Sequence, residues 1–376
     1  MRSSSACEGP LRSNPVRAAL VWILCGLLLI STTGCALILG EEPDISELSL
    51  AAADSPRLFE GHDTALLASN DVVPITQNPE SKLPVSFTGL DDVTVEITDT
   101  SRILALDGTG SLASIVFGLG FGPRVVGRDL TTGFDSAKEL PLVMNGHSLN
   151  AESILELNPT LILTDYSVGP YDVQLQMRNS GIPIVFFEPA GNLEDIPRLI
   201  EDVATVLGVP ELGDDYTADF EHRLDETLAR IQAIVPEREE DRPRMVFLYM
   251  RGRAGVYQMF GNNPDGSQGS AGVIIDTLGG VDVAGEQNWV SGSLTAEGLM
   301  KLEPDLILML TLGLESVGGV EGLMEIPGVA QTPAGERSRV VDMSDYDMFT
   351  WGPRTPEVLA ALAEAVYRVD LSEVAL

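Results

Sequence analysis

Two stretches decide the fold: residues 148–163, SLNAESILELNPTLIL, and residues 293–308, SLTAEGLMKLEPDLIL. Nine of their sixteen positions are identical at a constant offset of 145, and Pro159 and Pro304 fall at the same turn. Each copy reads as a helix capped by Asn150 or Thr295, then a proline turn, then an apolar strand. Two copies describe a duplicated domain, because a solenoid needs three or more stacked repeats.

Outward from the first copy, β-rich runs at 93–97, 103–106, 124–126, 161–164 and 184–187 alternate with helical runs at 111–119, 151–157, 173–179 and 194–207. Around the second copy, strands at 245–249, 256–260 and 306–310 alternate with helices at 272–278, 295–302 and 356–369. Alternation of this kind predicts parallel sheets covered on both faces. The fold class is α/β: two doubly wound lobes, over 91–209 and 237–376, with a ligand cleft between them. The lobes are joined through 210–236. There Tyr216, Phe220, Leu224, Leu228 and Ile231 recur at helical spacing with no breaker but Gly213, and Pro236 ends the run. A helix of up to 26 residues is roughly 35–40 Å long, a stiff connection that permits rocking rather than wide closure.

The N-terminus has a different character. Arg2, Arg12 and Arg17 precede an apolar run of 13 residues at 18–30, AALVWILCGLLLI. The run is short for a membrane span, and its flanks suit an export signal over 1–34. Thr33-Gly34-Cys35 resembles the end of a bacterial lipobox, although Thr32 stands where Leu or Val is usual. That resemblance implies lipid attachment at Cys35 and a place on the outer face of the cell membrane. An ordinary signal peptide with an incidental cysteine is the plainer alternative. Cys7 and Cys25 lie in the segment to be removed, which leaves Cys35 alone, with no disulfide scaffold and no CxxC for zinc. Residues 36–90 hold nine acidic and two basic residues, scattered Pro and Ser, and no period. They read, with Cys35, as an acidic flexible tether over 35–90.

Lys and Arg number 23 against 56 Asp and Glu, a net charge of −33, which argues against nucleic acid as a partner. The Cys35 signal, the acidic tether, the paired segments and the connecting helix together resemble ABC-transporter substrate-binding proteins of the metal-chelate class, over about residues 95–370. The resemblance implies a monomer, not an enzyme, that carries a siderophore, cobalamin or haem to a membrane permease and its ATPase.

Open α/β sheets bind ligands beyond the carboxyl ends of their strands. Two side chains stand out there: His147, in the loop before the first repeat, and Tyr249, which ends the first strand of lobe two. Arg251 follows two residues later, on the same side by the period of a strand. A guanidinium beside the phenol favours phenolate, a hard ligand for ferric iron. A lone loop histidine is ordinarily a satisfied polar group, and a lone tyrosine at a strand end is ordinarily core. Of the other histidines, His62 falls in the tether and His222 on the connecting helix. The Tyr249-Met250-Arg251 triplet resembles the Y-x-R ligand and supporting arginine of haem-binding members, and His147 resembles the second axial ligand of Gram-positive relatives. The resemblance thus implies haem b as the transported ligand, held by His147 and Tyr249 and supported by Arg251. Arg128, Arg253 and Arg354 are candidate propionate partners; Tyr166, Tyr257, Phe349 and Trp351 are candidate walls. A ferric siderophore or cobalamin is the alternative.

Glu152 and Glu297 occupy matching places in the two repeats. A first-turn carboxylate offsets the helix dipole whatever else it does; the resemblance adds that one glutamate per lobe pairs with arginines of the permease. A distant alternative comes from Gly108-Thr109-Gly110-Ser111-Leu112-Ala113, a G-x-G-x-x-A run between a strand and a helix with Asp129 about 20 residues on. It is the dinucleotide fingerprint of an NAD-dependent oxidoreductase. Against it, a tight strand-to-helix turn needs glycine for any ligand, an exported chain has little access to the cofactor, and no catalytic pair accompanies the motif.

Overall fold

In the computed structural model, which describes residues 55–146, 148–252, 256–258, 268–287 and 292–375, both repeated segments enter a capped helix after two residues of strand. The Ser153 amide donates to the Asn150 side chain at 3.1 Å, and the Gly298 amide donates to Thr295 Oγ1 at 3.1 Å. These bonds satisfy amides that the first helical turn leaves without partners. The strands that follow each helix are buried throughout, as strands of a sheet covered on both faces must be.

In chain order come β1 (His62–Ala65), β2 (Val85–Thr88), β3 (Thr94–Ile97), β4 (Ile103–Leu106) and α1 (Ser111–Gly118). The hairpin of β5 (Met144–Asn145) and β6 (Ser148–Leu149) leads to α2 (Ala151–Glu156), β7 (Leu161–Thr164), α3 (Tyr171–Asn179), β8 (Ile184–Phe186) and α4 (Ile196–Val206). The long helix α5 (Pro210–Ile234) precedes β9 (Arg244–Leu248), β10 (Val256–Gln258), α6 (Ser270–Thr277), β11 (Val281–Asp282) and α7 (Val283–Glu286). Then follow β12 (Gly292–Leu294), α8 (Ala296–Leu302), β13 (Leu306–Leu310), α9 (Thr311–Ser316), α10 (Gly319–Met324), α11 (Pro333–Glu336), β14 (Val340–Met343) and α12 (Thr355–Tyr367).

The first lobe's sheet runs β4-β7-β8, all parallel. Residues 124–126, expected as a strand, supply only one parallel bridge, Val125 to Ile103, after a 3-10 turn at Gly122–Arg124. The second lobe's sheet runs β1-β14-β13-β9-β11, also all parallel. Helix α5 packs against α4 on one side and α12 on the other. It buries Tyr216, Phe220, Leu224 and Ile231, so its apolar stripe is the seam of the main core. Full burial of a side chain such as Phe220 contributes roughly 1.5–3 kcal/mol.

The flexible tether read over 35–90 does not hold for residues from 56 onward. β1 is the edge strand of the second sheet, pairing His62 with Val340 and Ala65 with Met343. Arg339, fully buried, donates to Asp63 at 2.5 Å and to the Ala365 and Val366 carbonyls at 2.7 and 2.9 Å; Arg368 reaches the same Asp63 oxygen at 2.8 Å. The chain then crosses to the first lobe, where the Ile75 amide bonds the Gly118 carbonyl and that of Lys82 bonds the Gly208 carbonyl, both at 2.8 Å. There β2 pairs antiparallel with β3. This strap is a second crossing between lobes, beside α5. Its Asp63 is the ion-pair partner of Arg339 and Arg368, and only Ala65 of β1 is buried, so no hydrophobic period marks it.

Candidate functional site

Strands β9, β13 and β14 lie side by side in parallel register. The residues just beyond them, 249–252, 311–313 and 344–347, therefore converge on one rim. Tyr249 is half-buried there against the main core. The Arg251 guanidinium carbon stands 4.6 Å from the centroid of the Tyr249 ring, a cation–π contact over its face. Arg251 itself is held from three sides. Its Nη2 donates to Asp345 Oδ1 at 2.5 Å and its Nη1 to the Met250 carbonyl at 3.0 Å. Gly313 closes the third side: a Cβ there would lie 3.0 Å from the Met250 oxygen and 3.2 Å from Arg251 Nη1. Asp345 uses its other oxygen to accept from the Leu312 amide at 2.9 Å.

The first lobe presents three buried aspartates at the corresponding ends: Asp107 after β4, Asp129 after the Val125 bridge and Asp165 after β7. Asp107 accepts from the Gly110 amide at 2.7 Å and the Leu112 amide at 3.1 Å; its own amide donates to Asp129 at 2.8 Å. Asp129 also takes the Thr131 and Thr132 amides, and Asp165 takes the amide and hydroxyl of Ser167. Burial foremost, then the charges of Asp129 and Asp165, push Asp107 up to about 8. Burial likewise raises Asp129 and Asp165, against the hydrogen bonds that favour their charged forms.

This arrangement overturns the dinucleotide reading of 108–113. The Gly110 and Leu112 amides are taken by the chain's own Asp107, the Gly108 amide bonds Ser167 Oγ at 2.6 Å, and Asp129 is turned inward. Glycine is needed because Gly110 has φ of +80°. A pyrophosphate would meet clustered carboxylates rather than free donors.

The two rims meet through residues 344–352. Thr350 Oγ1 donates to the Thr109 carbonyl at 2.7 Å, and the Tyr346 ring fills the space where a Gly133 side chain would stand. Tyr346 and Asp345 had no signal in the sequence to separate them from other aromatic and acidic residues.

The remaining candidates are dispersed. Tyr166 is on the first lobe's rim, 52% exposed and stacked on Phe186 at 4.9 Å. Arg128 donates to the Asp129 carbonyl at 3.1 Å, and its Nε is buried with no hydrogen-bond partner among the described residues. Arg354 pairs with Asp347 at 3.0 Å and lines a recess of about 550 Å³ between the strap, α5 and α12. Trp351 is 3% exposed with its Nε1 on Ser270 at 3.3 Å, and Phe349 packs edge-on to Phe247 at 5.0 Å; both sit in the core. His62, read as a tether residue, belongs to β1, with Nε2 2.6 Å from Asp342 Oδ1. His147, Arg253 and Cys35 lie outside the described residues, as does the side chain of Tyr257 in β10.

Glu152 and Glu297 are both exposed in the first turns of α2 and α8. Their surroundings differ: Glu297 pairs with Lys301 at 2.8 Å, which lowers its pKa, whereas the repeat-equivalent of Lys301 is Glu156. Among the described residues no helix is long and apolar enough to cross a membrane, and no group of three or more His, Cys, Asp or Glu could hold a metal ion.

Residues 108–346 match the Periplasmic binding protein family. The solved heme binding protein HmuT is 36% identical, with a TM-score of 0.76 over 83% of this chain and 99% of that one. Its solved variants, similar to the same degree, replace a histidine, a tyrosine and an arginine, the last two being two positions apart. Periplasmic heme-binding protein RhuT from Roseiflexus sp. RS-1 is 33% identical, with a TM-score of 0.64 over 72% of this chain and 99% of that one. Among curated relatives, the Vitamin B12-binding protein of Pectobacterium atrosepticum is 29% identical over 141 residues, 37% of this chain and 50% of its own length. That of Pectobacterium carotovorum is 35% identical over 88 residues, 23% of this chain and 32% of its own. The chain thus spans half or less of the length of these curated relatives.

Proposed function

Because the chain belongs to the Periplasmic binding protein family, we propose that it is the extracytoplasmic binding component of a haem importer. It takes ferric haem between its lobes and delivers it to an ABC permease with its ATPase. The observation that carries this reading is the Tyr249–Arg251 pair at the end of β9, with a guanidinium 4.6 Å over the ring. A tyrosine oxygen is a ligand suited to ferric iron, and Arg251 sets a positive charge against the face of that ring. The haem-binding proteins that align over most of this chain support the same ligand, one of them with a replaced tyrosine and arginine at this spacing. The work is carriage, not catalysis.

His147 is the ligand for the opposite haem face. Because the protein as a whole repels anions at −33, local guanidinium groups must attract the propionates, with Arg128 and Arg253 as candidates. Cys35 is the lipid anchor on the outer face of the membrane. Glu152 and Glu297 meet the permease. Cobalamin is the second reading, favoured by the curated relatives.

Titrating the purified protein with hemin, with cyanocobalamin as competitor, tests the reading. A tight ferric spectrum is expected whose axial-ligand bands change in Tyr249→Ala and in His147→Ala. Bands indifferent to both substitutions, or displacement by cyanocobalamin, would overturn haem as the ligand.

A further inference from the structure

We infer that Asp345 is the positioning residue for Arg251, and through it for the iron-binding side of Tyr249; the inference rests on the haem reading above. Arg251 is a long side chain, 44% exposed, following a strand end, and left alone it would sample many rotamers. Asp345 is its only anionic partner among the described residues, and its side chain is only 10% exposed. One Asp345 oxygen receives Arg251 and the other receives the Leu312 amide. The carboxylate thereby ties together the segments that leave β9, β13 and β14. Gly313 completes the socket, because any side chain there would press on Met250 and Arg251 Nη1. The result is a guanidinium fixed over the Tyr249 ring before any ligand arrives, which is what a preorganised site requires.

A plainer role for Asp345 is to cap the start of α9 through the Leu312 amide. Asp345→Asn separates the two roles, since asparagine keeps an acceptor for that amide and removes the anion that holds Arg251. In the apo-protein, labelling of Arg251 by phenylglyoxal, followed by mass spectrometry of its peptide, should accelerate about tenfold, the scale of one charge-assisted hydrogen bond. In the loaded protein, hemin should leave about tenfold faster on the same grounds, and Asp345→Asn should add nothing in an Arg251→Ala background. Gly313→Ala is the second variant: without touching Asp345 it crowds both the Met250 carbonyl and Arg251 Nη1. It should therefore hasten hemin loss more in the wild-type background than in Arg251→Ala, the difference being the share that acts through Arg251. Unchanged labelling of Arg251 overturns the positioning role. Faster labelling with unchanged hemin loss overturns its link to the ligand, and an Asp345→Asn effect that persists without Arg251 reduces Asp345 to a structural cap. If the wild type binds no hemin, the haem reading fails on its own, and labelling alone decides whether Asp345 holds Arg251.

Discussion

Asp107 is a carboxyl group buried against two others and held by backbone amides, so its charge state and the stability of the first lobe are linked. Its pKa is raised from 3.8 to about 8 on folding. A raised value means that the folded protein binds the proton more tightly than the unfolded chain. The stability this contributes is complete below the unfolded value and is lost as pH rises through the folded one. The melting temperature should therefore fall as pH is raised from about 4 toward 8, and Asp107→Asn should flatten that slope in a calorimetric pH series. A slope unchanged in the variant would assign the dependence to other groups. At this scale the sequence carried part of the candidate site. Tyr249 and Arg251 were legible because two residues at period 2 share a side whatever the tertiary fold. Asp345 was not, since it is one of 56 acidic residues and lies 94 positions from the arginine that it holds.

Among elements, α5 was the most legible, because five apolar residues at helical spacing can hardly form anything else. What the spacing could not supply is how closely the helix is packed. Gly118, at the end of α1, has Tyr216 of α5 pressed against it: a Cβ there would lie 2.0 Å from the tyrosine hydroxyl oxygen. Gly118→Ala must push the two helices apart and should cost about 1–3 kcal/mol, as overpacked cores do; urea denaturation measures it. No loss would mean that the α1–α5 contact yields easily. The short strands were the illegible ones. β14 is four residues long with Arg339 just before it and Asp342 within it, both buried and paired, so its apolar run is too short and too interrupted to stand out. β1 takes its place by backbone pairing and ion pairs instead of by apolar burial. Residues 124–126 failed in the opposite direction, apolar enough for a strand but paired only at Val125.

For the whole molecule, the duplication is what the sequence declared most clearly, and the departures from it are where specific chemistry resides. The two repeats carry Glu152 and Glu297 alike, yet Lys301 already pairs with Glu297 while Glu156 stands beside Glu152. Reversing both glutamates to lysine should abolish uptake by cells and leave hemin affinity of the purified protein unchanged, as read by an uptake assay beside a binding titration. Loss of hemin affinity in the double variant would sink the docking role. The strap has a separate consequence. A body hung from a single rod can swivel and tilt about it, but one hung from two neighbouring pins keeps a single axis, like a door. With α5 and the strap both crossing between the lobes, the relative motion left to them is a swing about the line through those crossings, and the Thr350–Thr109 hydrogen bond that joins the facing rims acts as its latch.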